Sequence, residues 1–232
     1  MCRHWNDPRK SFAWLSTWMH ENVSNHRRRL QGGERISRRR PGRRDGGEHA
    51  RRPVLAVSGP RGDRLHDVRL RGGVEFIRAE GFVFSHVADE GLVHACAGEL
   101  LRYRKSVGAE DILVFTDIKK KHSSHALTSD VSVAETARAA EFFLSDGLIL
   151  TGTSTGAQAD PQELTEVSRA VSIPVLIGSG VTHDNVDRYL GASGVIVGSH
   201  FKDGGVWSGE LNPRRVRNFM TKMRRLRGSA GP

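Results

Sequence analysis

Pro174–Gly180 (PVLIGSG) and Gly194–Ser199 (GVIVGS) decide the fold. Each is a short, almost continuously apolar run that ends in glycine and serine. Strands buried on both faces of a parallel sheet have this character. A glycine at the carboxyl end of a strand lets backbone N–H groups approach an anion, and a following helix N-terminus adds positive potential. Phosphate-binding barrels place their anion on the loops after strands seven and eight. Two such turns, one strand–helix unit apart at the end of the array, point to a phosphate cradle formed by Gly178, Ser179, Gly180, Gly198 and Ser199. The competing explanation is that these glycines only make tight turns. Their pairing favours the anion.

Working outward, the same alternation continues in both directions. Upstream lie strands at Val74–Glu80, Ile112–Ile118 and Gly147–Thr151. Helices are expected over Gly91–Ser106, with Leu92, Cys96, Leu100 and Tyr103 on one face, and over Val131–Leu144, with Val133, Ala137, Ala140 and Leu144 on one face. Asp160-Pro161 opens a further helix with a cap and a first-turn proline. Thr182 is placed to cap a short helix through Leu190, with Asp184 in its first turn. Pro213–Leu226 closes the chain. Cys96 falls on an apolar helix face and is assigned to the core. Strict β–α alternation gives an α/β fold. Five units in about 160 residues match five-eighths of a (β/α)8 barrel of about 250 residues. A five-stranded doubly wound sheet is the rival.

Charge divides the chain of 232 residues, whose net charge is +10. Residues 1–72 hold 17 Arg and one Lys against four Asp and three Glu, a net +11, whereas residues 73–232 carry −1. The basic balance therefore belongs to the first third and loses most of its force as a sign of nucleic-acid binding. That third sets arginine clusters among glycines, with Phe12–Met19 and Pro53–Val57 as its only apolar stretches. It is expected to be a disordered or aberrant leader, with a basic arm for nucleic acid or an organelle transit peptide as the other readings. The division is thus a leader over 1–72 and a domain over 73–232. Two cysteines exclude a disulfide framework, and no run is long enough to span a membrane. Peripheral membrane contact and a homo-oligomer stay open.

Charged groups at strand ends supply the candidate chemistry. In Asp117-Ile-Lys-Lys-Lys-His122, extended-chain alternation would point Asp117, Lys119 and Lys121 the same way. Asp117 can orient or accept a proton, and a desolvated Lys119 can serve as base or Schiff-base amine. Lys120 reads as part of a solvated basic loop. Glu80 is either a carboxylate base opposite Asp117 or the ion-pair partner of Arg78. Thr151 opens a hydroxyl-rich loop through Gly156 that could hold substrate oxygens or be only a turn. His122 and His125 could bind a metal or shuttle protons, but no metal is assigned and no motif names a cofactor. His86 and Asp89 fall in a loop that could cover the site.

Five segments, FIRAEGFVFSHVADEGL, DIKKKHSSHAL, LILTGTSTGA, VLIGSGVT and GVIVGSHFKDGGVW, occur in the order and spacing of the BtpA (BtpA/SgcQ) family, which the chain resembles over about residues 73–226. The resemblance implies an incomplete phosphate-binding (β/α)8 TIM barrel, with strand–helix units four to eight present. Lys202 and Asp203 match the family's lysine-acid-glycine segment after strand eight, followed by Trp207. Nothing in residues 1–72 resembles the first three units, so a truncated isoform or frame artefact is an expectation, with activity in doubt. The implied function is binding of a phosphorylated small molecule with lyase or isomerase chemistry, in the cytoplasm, or in mitochondria if the leader is a transit peptide. The alternative is a non-catalytic assembly factor like the family namesake, linked to photosystem I biogenesis.

Overall fold

Residue-by-residue alternation sorts the strands into two faces, and the buried side chains divide accordingly. In the computed structural model, described over residues 76–229 with the short strands at 14–15 and 55–57, the sheet strands are β3 (Phe76–Ala79), β6 (Leu113–Ile118), β8 (Gly147–Leu150), β9 (Val175–Ile177) and β10 (Gly194–Val197). All five are parallel, in the order β10-β9-β8-β6-β3. The edges are met by β2 (Leu55–Val57), parallel to β3, and β1 (Trp14–Leu15), antiparallel to β10. This is a curled parallel half-barrel, an incomplete TIM barrel.

Ile77, Val114, Leu148, Leu150, Val175 and Ile177 form one cluster with helix residues such as Ala137, Leu164, Val167 and Phe219. Phe76, Leu113, Phe115, Ile149, Leu176 and Ile196 form a second cluster that contains no helix residue. The second is the concave, inner face. The helices that cover the outer face are α1 (Ala97–Ser106), α2 (Val133–Phe142), α3 (Pro161–Ala170) and α4 (Pro213–Ser229). Ser132 and Glu135 close a reciprocal capping box on α2, and Asp160 caps α3 ahead of Pro161.

Several expectations need correction. The helix expected from Gly91 begins only at Ala97. Gly91, at φ 115°, turns the chain into a hairpin of β4 (His86–Ala88) and β5 (Gly91–Val93), which pairs on its other side with β7 (Ser123–Ser124). Leu92 consequently lies outside the core at 54% exposure, whereas Cys96 is buried and donates to the Gly81 carbonyl at 2.8 Å. Leu144 is also exposed. Helix α2 stops at Phe142, and Leu144 takes a left-handed φ of 66° as the Leu144 and Ser145 amides close back on the Glu141 and Ala140 carbonyls. Thr182 caps no helix: Asn185 holds its amide and the Gly180 carbonyl, and only a 3₁₀ turn at Val186–Tyr189 follows. Val74 and Glu75 of the first expected strand, and the arginine clusters with the disorder assigned to them, lie outside the described residues.

The inner face is tightly fitted at Gly147. A Cβ there would lie 2.1 Å from the Phe115 ring, which makes an edge contact with Phe76. Gly147→Ala should therefore destabilise the chain by about 1–3 kcal/mol, measured by urea denaturation. Gly191→Ala, where a Cβ meets nothing within 4 Å, should be close to neutral.

Candidate active site at the carboxyl ends of the strands

Following the inner face upward, each strand changes character at its carboxyl end. Phe76 is succeeded by Arg78, Phe115 by Asp117, Ile149 by Thr151, Leu176 by Gly178 and Ile196 by Gly198. Apolar packing gives way to a row of polar or side-chain-free positions at the end where α/β barrels carry their sites.

Arg78 and Asp117 form the centre of this row. Arg78 Nε and Nη2 donate to the two Asp117 carboxylate oxygens at 2.9 and 2.7 Å. The Asp117 side chain has 0% exposure and Arg78 has 17%. Burial pushes the Asp117 carboxyl above its usual range, while Arg78 pulls in the opposite direction. Burial likewise opposes the charge on Arg78, but Asp117 and Glu80 outweigh it and hold the guanidinium above its ordinary value. Two N–H donors on two carboxylate oxygens are the geometry of an ion pair. Arg78 Nη2 lies only 3.5 Å from where a Cβ on Gly178 would stand, so the fork reaches from β3 across to the turn after β9.

Glu80 pairs with neither of its expected partners. It accepts from Lys120 Nζ at 2.9 Å, and the same Nζ lies 3.7 Å from Glu90 Oε1. Lys120 is therefore not a solvated loop residue: its side chain is 10% exposed. Burial disfavours its charge, but Glu80 and Glu90 raise it.

The expected shared face of Asp117, Lys119 and Lys121 does not form. The strand ends at Ile118 and Lys119 takes a left-handed φ of 53°. Its ammonium donates to the Thr128 and Val131 carbonyls at 3.1 and 2.9 Å. Lys121, in contrast, lies in the field of Arg78 and Asp117. Burial, with Arg78 as the next influence, lowers its amine below the usual lysine range.

The glycine turns divide in two. Gly180, at φ 66°, lies where a Cβ would be 2.3 Å from the Ala157 carbonyl oxygen, and Ser179 Oγ donates to that same carbonyl at 3.1 Å. These two residues lock the loop after β9 onto the loop after β8. The Gly178 amide donates to the Leu150 carbonyl at 2.7 Å, and a Cβ there would lie 2.5 Å from Ile149 Cγ2, so Gly178 permits close packing and offers neither a free donor nor open space. Gly198 is exposed, and a Cβ there meets nothing within 4 Å. Ser199 opens a 3₁₀ turn to Phe201, and half-buried Lys202 follows. Thr151 Oγ1 accepts from the Lys121 amide at 3.0 Å. His122 accepts from the Thr155 amide at 3.0 Å and holds the hydroxyl-rich loop, while His125 contacts the Lys120 carbonyl at 3.1 Å. Among the described residues no group of three or more His, Cys, Asp or Glu could hold a metal ion.

A family model described as the BtpA family matches residues 65–225. The chain belongs to the BtpA family. It is 52% identical over 155 residues to an uncharacterized mitochondrial protein of Caenorhabditis elegans, covering 67% of this chain and 56% of that protein. It is 35% identical over 153 residues to the photosystem I biogenesis protein BtpA of Synechocystis, covering 65% of this chain and 53% of the relative. The chain thus spans little more than half the length of these BtpA relatives. Among solved structures, mandelate oxidase bound to 3,3-difluoro-2-hydroxy-3-phenylpropionic acid matches with a TM-score of 0.51 at 19% identity, over 77% of this chain and 59% of that one. That likeness concerns the fold alone. No helix among the described residues is long and apolar enough to cross a membrane.

The sequence alone assigns no role to Arg78 or Lys121 and places the buried His86 only in a loop over the site. For Arg78 the signal was present, a charge set between Phe76 and Glu80 on one face of an otherwise apolar strand. Removing one partner of the central pair should be costly. Asp117→Asn is expected to lose about 3–5 kcal/mol, whereas the double change Arg78→Met with Asp117→Leu should recover most of it. Thermal and urea denaturation of the three chains check both outcomes.

Proposed function

We propose that this BtpA-family half-barrel binds a phosphorylated small molecule at the carboxyl ends of its strands and performs lyase- or isomerase-type chemistry there. The observation that carries this reading is the Arg78 fork. It is fixed by a fully buried carboxylate, keeps N–H donors that this carboxylate does not use, and lies close to the turn after β9. In this reading Arg78 neutralises the phosphate or the charge that develops on substrate. The amides of Gly198 and Ser199, with Lys202, complete the cradle. Asp117 orients Arg78 instead of acting as a free base. Lys119 serves as a positioning residue through its two carbonyl contacts. Lys121 supplies the amine for proton transfer, since burial, then Arg78, lower it below the usual lysine range. Glu80 and Lys120 form a second charged pair beside it, with Glu80 as the auxiliary carboxylate.

The test is a calorimetric titration of the whole chain with inorganic phosphate and with a sugar phosphate. Gly198→Asp adds a negative charge without a steric clash and should weaken binding at least about tenfold, roughly 1.4 kcal/mol. Gly191→Asp, another open position, should leave binding unchanged. No binding by the unaltered chain, or equal binding by Gly198→Asp, would overturn the reading.

A second reading, a non-catalytic assembly role prompted by the Synechocystis relative named for photosystem I biogenesis, is favoured by one surface feature. Phe142, Phe143 and Leu144, at the opposite end of the strands, are 78%, 49% and 68% exposed, and the two rings touch. Contiguous exposed apolar groups mark contact surfaces. On this reading the chain self-associates through this ridge, and Phe142→Ser with Phe143→Ser disperses it in sedimentation velocity without altering phosphate binding. A monomer before and after the change would count against it.

A further inference from the structure

A small polar recess lies over the Asp117 end of the site, between the loop leading into β4 and the segment after β6. It is lined by Glu80, His86, Asp117, Lys120, His125 and Thr136, among others, and has room for the centre of one water-sized group, about 10 Å³. His86 is 5% exposed, and its Nε2 is the one buried side-chain nitrogen or oxygen among the described residues with no hydrogen-bond partner. The Phe84 backbone beside the ring favours a proton on it. With that proton on Nδ1, the unpartnered Nε2 carries the lone pair. Phe84 itself has φ 58°, an uncommon conformation for a bulky residue. The backbone beside the ring is thus in an unfavourable state, a feature associated with functional loops.

We propose that this recess is a hydroxyl-binding subsite, in which His86 Nε2 accepts the hydrogen of an alcohol group on the ligand. Three features narrow the ligand chemistry to a hydroxyl. The space admits one heavy atom with its hydrogens, so a carboxylate or phosphate does not fit. The charged groups lining the recess are Glu80 from the end of β3, Asp117 from β6, and Lys119 and Lys120 from the segment beyond it, two acids and two bases. Glu80 is paired with Lys120, Asp117 with Arg78, and the Lys119 ammonium is taken up by the Thr128 and Val131 carbonyls, so no lining charge is left without a partner and a neutral group is favoured. The imidazole is also held in its neutral form: burial, then His125 and Lys120, lower its protonation below the usual histidine range. The His125 ring, 5.3 Å away between centroids, is tied to the Lys120 carbonyl and closes the far side.

This inference rests on the phosphorylated-ligand reading and refines it to a hydroxylated phosphate ester. Arg78 joins the two regions, since it bonds Asp117 on the recess side and approaches Gly178 on the cradle side.

Glycerol 3-phosphate and propyl phosphate share a phosphate ester and a three-carbon chain, and differ in the hydroxyl groups. Calorimetric titration of the whole chain should show glycerol 3-phosphate binding about tenfold more tightly, one good hydrogen bond to a buried group. In His86→Leu the two affinities should become equal, with that of propyl phosphate unchanged, and His86→Gln should restore part of the preference. A preference that persists in His86→Leu, or equal binding of the two esters by the unaltered chain, overturns the proposal. A second measurement needs neither a variant nor a phosphate site. Glycerol alone, added at high concentration to histidine-labelled chain, should move the His86 Nε2 nitrogen resonance and leave that of the surface residue His94 in place. If neither phosphate ester binds but glycerol moves His86, the phosphate reading fails and the subsite stands. If glycerol leaves the His86 resonance in place, the subsite is refuted whatever the esters do.

Discussion

The two parallel hydrogen bonds between Arg78 and Asp117 constrain everything else at the mouth of this half-barrel. Removing a carboxylate and a guanidinium from water costs several kcal/mol per ion, and only near-ideal geometry offsets it. Here the geometry follows from the sheet. Neighbouring parallel strands in fixed register set Phe76 opposite Leu113 and Arg78 opposite Phe115, which leaves Asp117 one step farther along the same face. The Phe76–Phe115 contact beneath the pair excludes solvent and fixes the depth of both charges. One consequence is a restriction on chemistry. A carboxylate occupied on both oxygens is a poor proton acceptor, so base character passes to the amines and imidazoles around it.

A second constraint comes from the loops, which are tied to one another instead of to the strands below. His122 holds the loop after β8, Thr151 holds the segment after β6, and Ser179 holds the Ala157 carbonyl. The His183 amide donates to His200 Nε2 and joins the loops after β9 and β10. Four side chains of types commonly assigned to catalysis, His122, Thr151, Ser179 and His200, thus serve here to order the loops. A preorganised mouth of this kind lowers the entropy that ligand binding would otherwise lose. Lys119 belongs to the same group, since its two carbonyl contacts fix the 3₁₀ turn at Ala126–Thr128 and the approach to α2.

The strands were legible in the sequence because parallel strands covered on both faces must be apolar throughout, and no other element in a chain of this composition has that pattern. The hairpin at His86–Val93 was not. Its residues fit a helical period as well as a strand period, and the deciding feature is the positive φ of Gly91, which pattern does not reveal. The site was half legible. Period-two alternation placed Asp117 on the correct face, but it was carried past Ile118, where the strand had ended, and so assigned Lys119 to the wrong surroundings. Partner choice was out of reach. Arg78 and Asp117 are 39 residues apart in the chain and Lys120 and Glu80 are 40 apart, and only the register of β3 against β6 decides which acid meets which base.

From Gly73 onward the chain carries −1, so an anionic ligand would meet no general attraction and would depend on local fields. Two of the nearby cations, Arg78 and Lys120, are already paired with acids. A paired guanidinium still keeps N–H donors that its carboxylate does not use, because the fork has five and two are occupied. The proposed anion would therefore be recognised by directed hydrogen bonds and by space at Gly198 more than by excess positive charge. Recognition of that kind should depend less on ionic strength than the basic composition of the whole chain suggests, because a buried pair is screened far less than exposed charges.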